Sequence, residues 1–195
     1  QFAFELFKEV YALSDAENVM ISSLSTSYAL GMTFNGANGT TRDAFHQVLH
    51  FEGLSDQEVN ESYQDLMSQL VTLDKNVEFS IANSIWYKLG YNVLQDFINT
   101  NEEYFDAAVE ELDFSDPGAK DIINGWIEEK TNDKIQDMLD YIGANDQLCF
   151  YIRTINVSII GPFPIGVLLP KPMHCFTGIN SETVELTEVL YQFVS

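Results

Sequence analysis

Asn18-Val-Met-Ile-Ser-Ser-Leu-Ser-Thr-Ser-Tyr-Ala-Leu-Gly-Met32, followed closely by Asn35-Gly-Ala-Asn-Gly-Thr-Thr41, is the stretch that decides how this chain is read. Asn18 to Ile21 reads as a short extended run. Ser22, Ser23, Ser25 and Ser27 then cluster at the start of a segment, Leu24 to Phe34, that is mostly apolar or small. That segment fits a buried helix, and Asn35-Gly36 is a good stop for it. Asn38-Gly39-Thr40-Thr41 reads as a turn with an N-cap candidate.

Working outward, Ala3, Leu6, Phe7 and Val10 recur at helical spacing and predict a first helix. Phe45, Val48 and Leu49 give a short amphipathic helix. Ser55 and Glu58 form a capping-box pattern ahead of Val59, Tyr63, Leu66, Met67 and Leu70. The period then falls to two. Val77, Phe79, Ile81, Ile85 and Tyr87 alternate with Glu78, Ser80, Ala82 and Ser84, which predicts one strand. Leu94, Phe97, Ile98 and Phe105 return to helical spacing, and Val109 to Phe114 reads as a shorter strand. Asp116-Pro117 sets a cap before a proline at a first helical position. Ala119, Ile122, Ile123, Trp126 and Ile127 mark the last helix of this region. The order is four helices, strand, helix, strand, helix. Without strict alternation, an α+β domain fits better than a doubly wound sheet.

Composition narrows the function. The 195 residues are 46% apolar, enough for a sizeable core, and carry a net charge of −21. Such charge repels phosphate backbones and anionic lipid, so neither nucleic acid nor a membrane is an expected partner. No uninterrupted apolar window reaches membrane-spanning length. The chain begins at Gln1 and shows no signal-peptide pattern, so any such segment is expected to have been removed or left out. Two cysteines, Cys149 and Cys175, allow at most one bridge. Residues 1–143 hold 26 acidic and 7 basic residues, whereas 144–195 hold 4 and 2, and four of the five prolines lie in the second part. We therefore divide the chain at residue 143.

Few residues suggest catalysis. His46 and His50 share a helix, with Glu52 after them, but the Glu is misplaced for a zinc protease and no third ligand is evident. The acid pairs Glu102-Glu103, Glu110-Glu111 and Glu128-Glu129 diverge on a helix or strand and read as solvated faces. The serine cluster has no G-x-S-x-G elbow, and its hydroxyls are expected to satisfy backbone groups at a helix start. There is no phosphate-binding glycine loop and no C-x-x-C. Asn38-Gly-Thr, Asn60-Glu-Ser and Asn156-Val-Ser match the glycosylation pattern. No catalytic residue, metal site or cofactor is expected, and the protein is not expected to be an enzyme.

The stretch quoted first resembles the serpin family, whose members typically read N-x-x-x-S-P-x-S-I-x-x-A-L and then G-A-x-G-x-T at this spacing. Ile81-Ala-Asn-Ser-Ile-Trp86, Tyr104-Phe-Asp-Ala-Ala-Val-Glu-Glu-Leu-Asp-Phe114 and Ile123-Asn-Gly-Trp-Ile-Glu-Glu-Lys-Thr-Asn132 extend the likeness over residues 1–143. The resemblance implies a serpin-like N-terminal half: helices that the family letters A–F, with part of a central β-sheet. It also implies a suicide-type inhibitor of serine or cysteine proteases, in which a cleaved bait loop inserts into that sheet and distorts the trapped protease. Extracellular localisation is favoured by the same resemblance.

Carried over by position, Ser22 and Ser25 fall in the "shutter" that controls strand separation. Asn83 and Trp86 fall on a sheet strand, Trp126 on the helix across the sheet, and Asn18 and Thr131 within the structural motifs. Several positions depart from the family. Ser23 stands where Pro is usual, Thr26 where an aliphatic residue is usual, and Asp133 where Gly is usual. Leu148 to Ile155 keeps the pattern of the next central strand, yet Arg153 holds the place of the shutter Asn. After Ile155 the likeness ends: the F-K-G-x-W motif, the small-residue hinge and bait loop, and the C-terminal signature are missing.

Residues 144–195 therefore read as a divergent tail, whether from a frame change, a truncation or a genuine ending. The expectation is a serpin fragment unable to inhibit, with a target protease only for a full-length parent. The alternative is a non-inhibitory binding or structural module. Heparin is not an expected partner, because Ser55 to Leu73 holds Asp56, Glu58, Glu61 and Asp65 and no Lys or Arg.

Overall fold

The computed structural model describes residues 1–15, 17–73, 77–78, 81–143, 146–154, 158–159 and 174–177. Six helices, α1 (Phe2–Leu13), α2 (Ser23–Phe34), α3 (Gly39–Val48), α4 (Asp56–Thr72), α5 (Gln95–Phe105) and α6 (Ala119–Lys130), accompany six strands. The strands are β1 (Val77–Glu78), β2 (Ile81–Lys88), β3 (Ala107–Leu112), β4 (Asp146–Thr154), β5 (Ser158–Ile159) and β6 (His174–Thr177). The α+β class agrees with the sequence reading, and so does the order through α6 once β1 and β2 are counted as the one expected strand.

The main sheet runs β3-β2-β4-β6. β2 is parallel to β3, with Ile85 opposite Val109, and antiparallel to β4, with Trp86 opposite Cys149. β4 is antiparallel to β6, and that register sets Cys149 opposite Cys175. β1 and β5 form a separate two-stranded ladder.

The expected strand from Val77 to Tyr87 is thus two elements in two sheets. Nor does its second part alternate between core and solvent. Asn83, Ser84, Ile85 and Trp86 are all buried. Successive side chains point to opposite faces of a strand, so both faces of β2 must be covered. On one face Ile85 joins Tyr28, Met32, Phe45, Tyr63 and Phe105 in a core supplied by α2–α5. On the other, Trp86 joins Phe114, Ile123, Ile127 and Leu139 beneath α6. Helix α2 also packs against β4.

Several boundaries shift. Asn18 to Ile21 forms no ladder among the described residues. The strand expected at Val109 begins at Ala107 and ends at Leu112, leaving Phe114 in the following turn as a buried plug. Helix α3 starts directly after Asn38, whose carbonyl oxygen Oδ1 accepts from Gly39 N–H. Asp116 is not the cap of α6. Its Oδ1 accepts from Gly118 N–H at 2.8 Å, closing a turn around Pro117, and Gly118 is the residue before the helix. The capping box of α4 is present: Ser55 Oγ accepts from Glu58 N–H, and the Glu58 carboxylate accepts from Ser55 N–H.

Candidate functional site

The serine cluster lies at the N-terminus of α2, where a helix leaves backbone N–H groups unpaired. Ser22 is the N-cap, and its Oγ accepts from Ser25 N–H at 3.2 Å and from Ser25 Oγ–H at 2.6 Å. Thr26 Oγ1 donates to the Ser22 carbonyl. Ser25 is buried. This is the local backbone satisfaction the sequence suggested, with no base beside either hydroxyl among the described residues.

A turn further along, the core becomes a polar knot. The Tyr63 hydroxyl donates to the Ser27 carbonyl at 2.9 Å and therefore accepts from Ser27 Oγ–H at 2.7 Å. The Tyr28 hydroxyl in turn donates to the Tyr63 carbonyl. Burial pushes the Tyr28 phenol up to about 12 and the Tyr63 phenol higher still, because charge on either oxygen would be poorly solvated. Both stay neutral hydrogen-bonding groups at any physiological pH. Sequence reading treated Tyr63 only as an apolar helix position. The signal it passed over is Gly31, where an added Cβ would lie 2.7 Å from Tyr63 Cε2.

On β2, Asn83 is buried and its Nδ2 donates to the Phe105 carbonyl at 2.8 Å, tying the strand to the end of α5. Asn83 and the Ser22–Ser25 pair share no hydrogen bond among the described residues. Ile152 is the register partner of Asn83, and Arg153 that of Ala82. Trp86 Nε1–H donates to Ser84 Oγ, and its ring meets that of Trp126 edge to face at 6.3 Å. Thr131, buried at the end of α6, donates from Oγ1 to the Glu128 carbonyl and accepts from Ile135 N–H. Asn18 is exposed.

Asn124 was missed by sequence reasoning. Its Nδ2 donates to the Leu139 carbonyl at 2.9 Å and its Oδ1 accepts from Leu139 N–H at 2.8 Å. The side chain thus imitates a strand neighbour and clamps the segment after α6 against the helix.

The histidines do not converge. His46 Nδ1 lies 3.2 Å from the Phe51 carbonyl, whereas His50 Nε2 lies 2.8 Å from Glu5 Oε2 on α1. His50 has left the helix with φ 58°, which turns it off the His46 face. Among the described residues no group of three or more His, Cys, Asp or Glu could hold a metal ion, and no helix is long and apolar enough to cross a membrane.

A family model described as Serpin (serine protease inhibitor) matches residues 1–153. The chain is 31% identical over 194 residues to leukocyte elastase inhibitor of Bos taurus, covering 98% of this chain and 50% of that protein. It is 35% identical over 150 residues to corticosteroid-binding globulin of Saimiri sciureus, covering 73% and 36%. The structure superposes on ovalbumin of the emu, Dromaius novaehollandiae, with TM-score 0.68 at 26% identity, covering 78% of this chain and 45% of that one. The chain thus spans half or less of the length of these relatives. With a family match over most of its length and the same arrangement of helices about a sheet, the chain belongs to the serpin family.

Proposed function

We propose that the chain is the N-terminal scaffold of a suicide-type inhibitor of serine or cysteine proteases, and that these 195 residues do not inhibit by themselves. The observation that carries this reading is the build of the interior. The buried Asn83, Asn124 and Tyr63 side chains each tie one backbone segment to another, and no described hydroxyl is paired with a base as a nucleophile would be. Such a molecule positions a sheet and catalyses nothing. Ser22 and Ser25 form the shutter beneath that sheet, and Asn18, Asn83, Trp86, Trp126 and Thr131 hold the strand and helix about it. Residues 144–195 are a divergent tail around the strand β4, and the molecule is extracellular. The bovine relative, a leukocyte elastase inhibitor, points to an elastase-type endopeptidase as the target class.

The test is a denaturing gel of the chain mixed with serine and cysteine proteases. The scaffold reading expects no SDS-stable adduct with the 195-residue chain and a stable adduct with a full-length parent. An adduct with the chain alone would overturn the first half of the proposal. Failure of the full-length parent against every protease would overturn the second.

A second reading, a non-inhibitory binding module, is favoured by the match to a globulin named for binding corticosteroid. Exposed Phe4, Tyr11 and Leu13 on α1 mark an apolar surface that favours the first reading instead. Light scattering and dye binding discriminate: a compact monomer that binds no hydrophobic dye favours the module.

A further inference from the structure

The three N-x-S/T patterns become unequal once placed on the fold. Asn156 lies outside the described residues. Asn60 is in the second turn of α4 and 4% exposed, and its Nδ2 donates to Asn35 Oδ1 at 3.0 Å. A sugar on that nitrogen would have to displace the packing between α2 and α4. Asn38 is the opposite case. It is exposed and precedes α3 with an extended backbone, φ −140° and ψ 161°.

The details of that turn suit a modified amide. Asn38 Oδ1 is held by Gly39 N–H at 2.8 Å, while Nδ2 makes no hydrogen bond among the described residues. N-glycosylation keeps the carbonyl oxygen and one N–H, so the cap of α3 survives the modification. Thr40, the hydroxyl residue of the pattern, is exposed in the first turn, and its Oγ1 makes no hydrogen bond among the described residues. The turn itself is fixed, because Arg42 donates to the Ala37 carbonyl at 3.2 Å. A Cβ placed on Gly39 would meet nothing within 4 Å, so the space beside the acceptor is open.

We propose that Asn38 is an N-glycan attachment site, with a lipid-diphosphate-linked oligosaccharide as donor. In the transfer, Nδ2 of Asn38 bonds to the anomeric carbon of the first sugar. The bond from that carbon to the diphosphate oxygen breaks, the lipid diphosphate leaves with the electron pair, and one amide proton passes to the transferase base. The fold selects Asn38 over Asn60 because only Asn38 presents its amide to solvent.

The test expresses the full chain behind a cleavable secretory leader in eukaryotic cells and collects all soluble lumenal and secreted material. Deglycosylation by an amidase in heavy-oxygen water converts each glycosylated Asn to labelled Asp, which peptide mass spectrometry locates. Label at Asn38 and none at Asn60 is the expected result. Thr40→Ala removes the pattern but leaves the Asn38 cap, and is expected to abolish the label, while Thr40→Ser restores it. An Asn38 peptide that is unlabelled, or label that persists in Thr40→Ala, overturns the proposal, as does label at Asn60 in the soluble fraction.

Discussion

Replacing Gly31 by Ala tests the packing of α2 most directly. Elsewhere in a helix this change stabilises by about 1 kcal/mol, because glycine has more backbone freedom to lose on folding. Here the added methyl would sit 2.7 Å from Tyr63 Cε2, 2.9 Å from Tyr63 Cζ and 3.1 Å from Phe105 Cε1. The Tyr63 ring has little freedom to yield. Its hydroxyl is fixed to Ser27 by two hydrogen bonds, and its ring packs 5.0 Å from Tyr28 and 5.1 Å from Phe105. Overpacking of this kind costs about 1–3 kcal/mol, and a shifted ring would weaken hydrogen bonds worth about 1 kcal/mol each. Against the propensity gain, the net expectation is a loss of about 1–3 kcal/mol, read as a lower urea midpoint. The control is the same substitution beside Tyr63→Leu. With the ring gone, Gly31→Ala should be neutral or stabilising in that background. A Gly31→Ala midpoint above that of the parent chain would refute the close-approach argument, because the propensity term alone would then suffice.

Asn124→Ala removes both bonds to Leu139 and leaves a buried N–H and C=O unpaired, so we expect a loss of about 2–4 kcal/mol, with faster amide exchange at Leu139 as the local readout. Ser22→Ala removes the N-cap of α2 and should cost about 1 kcal/mol in thermal or urea melts, with Ser22→Asp recovering much of it. Acid sensitivity follows from Glu5, held below its ordinary 4.5 first by the hydrogen bond to His50, and from Glu58, held low first by Ser55 N–H. A depressed carboxylate stabilises above its ordinary value and ceases to do so as pH falls through its lowered one; melting curves across that window should therefore flatten in Glu5→Gln and Glu58→Gln. The register that sets Cys149 opposite Cys175 brings those two backbone positions about 4.5–5.5 Å apart, within disulfide range, so peptide mapping of oxidised chain should find that one bridge, and its absence would count against the β4–β6 pairing.

How legible was this fold? Helices α1 and α3 to α6 follow from apolar spacing, which records a single buried stripe, whereas α2 was legible as a mostly apolar run because Tyr28 to Met32 are buried on every side. The capping box at Ser55–Glu58 was legible because its partners lie three positions apart in the chain. β2 was misread for the converse reason. Its alternation of Ile and Ser suggested one wet face, but Ser84 is buried where it accepts from Trp86, and a hydroxyl satisfied inside the protein looks like a surface residue in sequence. Asn124 and Tyr63 escaped notice because their partners lie 15 and 36 residues away. Nothing local marks such a bond. The division of His46 from His50 was equally hidden, since it depends on a positive φ at His50 rather than on helical spacing.

The positions of these distant bonds explain how one strand can serve two cores. β2 lies between helices, so both faces must be dry, and each dry face needs its own polar fasteners. On the α2 side, Asn83 holds the Phe105 carbonyl at the point where α5 gives way to β3, and Tyr63 holds α4 to α2 through Ser27. On the α6 side, Thr131 and Asn124 hold the residues that follow the helix, which include Leu139 of the second core. Asn83 caps a carbonyl at the end of a helix, and Thr131 and Asn124 bond backbone outside any helix or ladder, where an unpaired carbonyl or N–H would be costly. β2 is thereby covered on both faces, while among the described residues β4 pairs on its other side with the short strand β6. β2 is thus held between two cores, one closed by α2–α5 and the other by α6, and the fasteners of each core tie the helices to the segments that flank them.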